Sequence, residues 1–124
     1  MKETKRQKQV AQLIMEEMSD IFQREGLNVI KGGMVSISKV TVTPDLLEAR
    51  IYLSIFKVED PEQLLENIIA RSSEFRGTLG NRLKNQLRRI PHLQFFNDDT
   101  LDYVFKMEAI FKKLEEEKKD KSQD

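Results

Sequence analysis

The chain has 124 residues, enough for one domain with a single substantial core. It has no cysteine, which excludes a disulfide framework, a thiolate metal site and a thiol nucleophile. Basic and acidic side chains number 21 each, so the formal net charge is zero and the chain is no generic polycation.

The amino-terminal MKETKRQKQ lacks the apolar run of a secretory signal, and no stretch reaches the ~18 apolar residues of a membrane span. A cytoplasmic location is expected. Lys5 to Gln23 reads as an amphipathic helix, with Val10, Leu13, Ile14, Met18, Ile21 and Phe22 on one stripe. Gly26 is its natural stop. Lys5, Arg6 and Lys8 make its first turns basic, against the helix dipole; they read either as solvated side chains or as phosphate contacts. Residues 27–34 read as a loop in which Gly32-Gly33 permits tight turning. Val35 and Ile37 then share one parity and Val40 and Val42 the other. A strand with one buried face does this only through a bulge, expected near Ser38-Lys39. Thr43-Pro44-Asp45-Leu46 is a turn signal. Glu48 to Phe56 is a second strand, with Ala49, Ile51, Leu53 and Ile55 inward and Arg50, Tyr52 and Ser54 outward. The two make an antiparallel hairpin covered on one face.

Asp60-Pro61-Glu62-Gln63 starts a helix whose buried side is Leu64, Leu65, Ile68 and Ile69. The apolar pattern pauses over Arg71-Ser72-Ser73-Glu74, where a kink is expected because serines can bond their own backbone. Phe75, Leu79, Leu83 and Leu87 then stripe a helix predicted to reach Leu87 or Arg88 and to stop before Pro91. Arg76, Arg82, Lys84, Arg88 and Arg89 fall mostly away from the leucines, so this helix should present a cationic outer face. HLQFF is a third strand. Asp98, Asp99 and Thr100 offer an N-cap to a last helix carrying Leu101, Val104, Met107, Ile110, Phe111 and Leu114. The polar residues 115–124 read as a disordered tail after a domain spanning 1–114. The order is α+β: three strands covered on one face by helices.

Charge is unevenly spread. Residues 71–90 carry six basic side chains against one acid, and residues 45–70 six acids against two bases. A polyanion-binding surface beside a repelling one would look like this. Arginine suits phosphate because its planar fork donates two parallel hydrogen bonds. Nucleic acid, an acidic protein partner and plain solubility all remain readings of the basic run. Aromatic residues outside the core are few, which favours docking on folded RNA through backbone and shape. Gly77-Thr78-Leu79-Gly80 is a literal GxxG, but Leu79 belongs to the leucine stripe, which puts it inside a helix; its glycines would serve close packing on the sheet. His92 has no second histidine beside it and reads as a strand-edge residue, and Asp98-Asp99 as a cap rather than a cation site. No Walker loop, G-x-S-x-G, H-E-x-x-H or G-x-G-x-x-G occurs, so neither enzyme activity nor a metal or cofactor is expected.

KQVAQLIMEEMSDIF, VSISKVTVTPDLLEARIYLSIF, FRGTLGNRL and LRRIPHLQFFNDDTLDY together resemble the bacterial ribosome-binding factor A family from about Thr4 to Leu114. The most specific parts are Thr43-Pro44-Asp45-Leu46 leading to Ala49, and Pro91-x-Leu93-x-Phe95 with Asp98-Asp99. The resemblance implies a type II KH-like fold without a working GxxG loop, in which a kinked helix pair takes that loop's place. The family's kink position falls here on Arg71-Ser72-Ser73, without a glycine. It further implies a monomeric, non-catalytic factor for small ribosomal subunit assembly. Such factors bind small-subunit rRNA near the decoding region and neck late in maturation, favour processing of its 5′ end, notably in the cold, and are often released by an assembly GTPase. RNA contacts are then expected at Arg76, Arg82, Lys84, Arg88 and Arg89, with Lys5, Arg6 and Lys8 as a second patch. The rival reading is a protein-interaction module whose basic helix docks on an acidic protein.

Overall fold

The first helix, α1 (Lys5–Arg24), is fixed by chemistry at both ends. The Thr4 hydroxyl accepts from the Gln7 backbone N–H at 3.1 Å while the Gln7 side chain accepts from the Thr4 N–H at 2.8 Å, a reciprocal capping box. Gln7 also donates its side-chain amide to the Val42 carbonyl at 2.7 Å, so the cap fastens the helix to the sheet. At the other end Gly26 takes φ +72°, and Gly26 and Leu27 donate back to Gln23 and Phe22, satisfying the last carbonyls.

The computed structural model describes residues 3–98, 110 and 112–115. Its sheet has four strands in the order β1 (Val29–Ile30), β2 (Gly33–Val42), β3 (Glu48–Phe56) and β4 (His92–Asn97). The three expected strands are therefore joined by a fourth, two residues long, inside the stretch read as loop. It forms because Lys31 (φ 46°) and Gly32 (φ 83°) both take left-handed backbone, the two-residue turn whose twist matches a hairpin. Gly33 serves a different purpose from turning. A Cβ there would lie 2.6 Å from the Lys57 carbonyl oxygen, so the close approach of β2 to the end of β3 requires glycine.

Strands β2 and β3 pair antiparallel, and the register shifts between Ile37 and Lys39, the bulge expected from the parity change. Val35, Ile37, Val40 and Val42 consequently all reach the core with Ala49, Ile51, Leu53 and Ile55. Ser54, expected outward, is buried instead, between Tyr52 and Phe56 along the strand. Strand β4 runs parallel to β3, which requires the intervening crossover through two helices.

Those helices are α2 (Pro61–Ala70), capped by the Asp60 carboxylate on the Gln63 N–H at 3.1 Å, and α3 (Ser72–Leu83). In α2 only Ile68 is fully buried; Leu64 and Leu65 are partly covered and Ile69 is 45% exposed, so its buried side is narrower than the periodicity implied. The break falls at Arg71 (φ −98°, ψ 10°), and Ser72 and Ser73 begin α3. Phe75 of α3 meets Phe22 of α1 and Phe95 of β4 at ring separations of 5.5 and 6.0 Å, the aromatic centre of the core. The leucine stripe is buried as expected, Leu87 included, but α3 stops at Leu83 rather than Leu87 or Arg88. The Gln86 and Leu87 N–H groups both turn back to the Leu83 carbonyl, at 2.9 and 2.8 Å, and the chain leaves the helix to reach β4. Asp99, Thr100 and most of the expected last helix lie outside the described residues, as do residues 116–124; Ile110 and residues 112–115 are helical. Among the described residues no helix is long and apolar enough to cross a membrane.

Candidate nucleic-acid interface

The basic residues between 71 and 90 divide into two groups. The first group is spent on the fold. Arg71 donates to Glu74 and Glu25, each at 2.8 Å, and its guanidinium lies over the Phe75 ring at 4.7 Å. It thereby pins the break between α2 and α3 and reaches past the end of α1. Its proximity holds the Glu74 carboxyl below the usual carboxylate range. Arg82 donates to Asp20 at 2.6 Å and Glu17 at 3.1 Å, tying α3 to α1, and lowers the Asp20 carboxyl in the same way. Arg76 donates to the Ile90 carbonyl at 2.8 Å and reaches the Pro91 carbonyl at 3.3 Å. A cation inside the helix thus holds the loop that follows it. The uniform cationic helix face is not what the fold builds, because the acids of α1 and the loop carbonyls lie within reach of it.

The second group is Lys84, Arg88 and Arg89. With α3 ending at Leu83, these three sit on the loop 84–91 rather than on the helix. They are exposed, as are Lys5, Arg6 and Lys8 in the first turns of α1. None of the six makes a side-chain hydrogen bond or ion pair among the described residues. The two patches, some 80 positions apart in sequence, converge. A cleft of about 550 Å³ has Arg6, Lys84, Arg88 and Arg89 along its walls. A second concavity beside it runs along α1 past Lys5, Arg6 and Lys8 to Gln86. Arg88 and Arg89 also border a groove over Gly77 and His92. The loop is therefore the shared wall of three depressions.

The first cleft is also lined by the turn between β2 and β3, through Asp45, Leu46 and Leu47. The Asp45 carboxylate accepts from the Thr43 hydroxyl at 2.6 Å and the Leu47 N–H at 3.0 Å. Thr43 exchanges further bonds with Glu48, and the Leu47 carbonyl accepts from the His92 N–H at 2.8 Å. These bonds force Leu46 into left-handed backbone, φ 61°, unusual for a branched residue. They also hold the Asp45 carboxyl below the usual carboxylate range, the Thr43 hydroxyl contributing most. The turn and its part in the family resemblance are visible in the residues; its place in one cleft with Arg88 is not.

The GxxG segment lies inside α3, as the leucine stripe required, with Leu79 fully buried. Its glycines do not serve packing against the sheet. A Cβ at Gly77 would meet nothing within 4 Å, and one at Gly80 would make ordinary contact with Ile90 at 3.6 Å. His92 opens β4 at the sheet edge, exposed. Among the described residues no cluster of histidine, aspartate and glutamate could hold a metal ion. The chemistry on offer is anion binding on a rigid frame.

The model of the family described as Ribosome-binding factor A matches residues 6–111. Ribosome-binding factor A of Cytophaga hutchinsonii is 39% identical over 118 residues, covering 95% of this chain and 89% of that relative. The crystal structure of ribosome-binding factor A from Thermus thermophilus superposes with a TM-score of 0.60 at 16% identity, over 73% of this chain and 94% of the other. A homology model of the Thermus thermophilus factor, fitted into a cryo-EM map of its 30S complex, gives 0.55 at 18% identity, over 78% and 96%. The helix, hairpin, broken helix pair and parallel last strand match the type II KH-like arrangement of these structures, and the chain belongs to the ribosome-binding factor A family.

Proposed function

We propose that this protein is a non-catalytic assembly factor that binds the small ribosomal subunit through its rRNA. One observation carries the reading. In a chain of zero net charge, six cations without internal partners among the described residues gather around one loop and one helix start. The complex described for the Thermus thermophilus relative supplies the kind of partner. Lys84, Arg88, Arg89, Lys5, Arg6 and Lys8 contact phosphates, while Arg76 and Arg82 act behind them by holding the loop and α1 in place. The protein acts late in maturation, binding an immature rRNA conformation better than the mature one and favouring 5′-end processing, notably in the cold. Only that difference in affinity can bias how the particle folds. It works as a cytoplasmic monomer and leaves when the mature conformation, aided by an assembly GTPase, removes its preferred site.

Sedimentation tests the reading. The protein is expected to travel with free small subunits, less with assembled ribosomes, and to be released steeply by salt. Capture of one protein that survives nuclease treatment, with no particle recovered, would replace the rRNA by an acidic protein partner.

A further inference from the structure

A groove built only for the sugar-phosphate chain needs cations and little else. The cleft between α1, the β2–β3 turn and the loop 84–91 has more. Besides Arg6, Lys84, Arg88 and Arg89 it is lined by Val10, Leu46, Leu47, Leu87 and Pro91. Leu47 is 42% exposed there, an apolar side chain at a charged rim. The cleft also contains a carboxylate, Asp45, which would repel any phosphate bound beside it.

The state of that carboxylate is informative. Its Oδ1 accepts from the Thr43 hydroxyl and the Leu47 N–H, and the residue stays exposed on the lining of the cleft. Hydrogen bonds from the Thr43 hydroxyl, the Leu47 N–H and its own N–H hold its carboxyl below the usual carboxylate range, so at neutral pH it stands as an anionic acceptor. The turn that carries it is braced by bonds to Glu48 and β4, so the acceptor is held rather than mobile. Cations on the rim, apolar walls and one fixed anionic acceptor together describe a nucleotide, not a bare phosphate. A volume of about 550 Å³ lies within the usual range of roughly 300–1,000 Å³ for small-ligand sites.

We infer that this cleft takes one unstacked nucleobase of the bound RNA, its exocyclic amine donating to Asp45 and its flanking phosphates lying on Arg6, Arg88 and Arg89. The inference rests on the RNA reading above and narrows it. Cytosine, adenine and guanine each present an exocyclic amine on an edge that unstacking frees, and a carboxylate is the natural acceptor for cytosine N4. Uracil has no exocyclic amine and offers only its N3–H between two carbonyl oxygens, a poorer match. Sequence-specific RNA recognition commonly works this way, on bases freed from their stack.

Fluorescence anisotropy with labelled hexaribonucleotides tests it. The probes are oligouridine, oligouridine with one central cytidine or adenosine, and oligouridine with one central abasic site. The cytidine and adenosine probes are expected to bind about tenfold tighter than the other two, the effect of one hydrogen bond to a charged acceptor. Asp45→Asn keeps an oxygen for Thr43 and Leu47 but turns a donor toward the cleft. It should abolish the preference while leaving the salt dependence and circular dichroism intact. Equal affinity of the abasic and cytidine probes for the unmutated protein overturns the inference without needing the variant. So does a preference that survives Asp45→Asn in a folded protein, or displacement of every probe by an acidic peptide alone. Sedimentation with small subunits runs in parallel. Base-blind probes with intact subunit binding remove the base site and leave the RNA reading standing; loss of both removes the two together.

Discussion

Replacing Arg88 and Arg89 together by alanine separates cations that touch RNA from cations that hold the fold. Both are exposed, and neither has a side-chain partner among the described residues. Their loss should therefore change stability by no more than about 0.5 kcal/mol. Binding is another matter. Each phosphate neutralised adds about −0.7 to −0.9 to the slope of log affinity against log salt. Six engaged cations would give a slope of about −4 to −5.5, and the double variant should lower its magnitude by about 1.4–1.8. At 0.1 M salt that difference is an affinity loss of roughly 25- to 60-fold, shrinking toward nothing near 1 M. The assay is sedimentation with small subunits across a salt series, with melting recorded on the same samples. Arg82→Ala is the counter-case: it removes the tie from α3 to Glu17 and Asp20 of α1, leaving Asp20 only Arg24 of its own helix, so the melting midpoint should fall while the salt slope holds. An unchanged slope in the double variant would show that the loop does not carry phosphate contacts, and a reduced slope in Arg82→Ala would show that the division of the arginines is wrong.

Gly77→Ala should stabilise the protein by about 0.5–1 kcal/mol, because a Cβ there meets nothing and alanine costs less helix entropy; thermal melting reads it as a rise of a few degrees. Gly33→Ala should do the opposite by about 1–3 kcal/mol, since its Cβ would collide with the Phe56 and Lys57 carbonyl oxygens; denaturant titration measures the loss. Asp20 supplies a pH signature. Its carboxyl is held low in the fold by Arg82, so its contribution is complete above the ordinary carboxylate range and is lost as pH falls through the lower folded value. Asp20→Asn should therefore be less stable than the unmutated protein at neutral pH, with the gap closing on acidification below about pH 4. A gap that widens in acid would contradict the assigned pairing.

The local code of this chain is largely written in its residues. The bulge follows from Val35 and Ile37 having opposite parity to Val40 and Val42. The start of α2 follows from Asp60 and Pro61, and the helical setting of the GxxG segment from Leu79. These are decisions taken over a few positions, where periodicity and capping chemistry act alone. Family likeness extended that reading to the whole fold. The two-residue strand β1 was not legible, because Lys31 adopts a left-handed conformation that only its hairpin partner makes worthwhile. Nor was the end of α3 at Leu83, where Arg76 reaches forward to the carbonyls that follow. The largest correction concerns the arginines. A helical wheel could say which way they leave the helix, but not that Glu17, Asp20 and Glu25 of α1 and its end would be waiting there. Pairing across the fold depends on which elements stack together, and that is set by burial of the common core. The same packing brings Arg6 and Asp45 up to Arg88, so the cationic cleft is a property of the assembled molecule and of no single stretch within it.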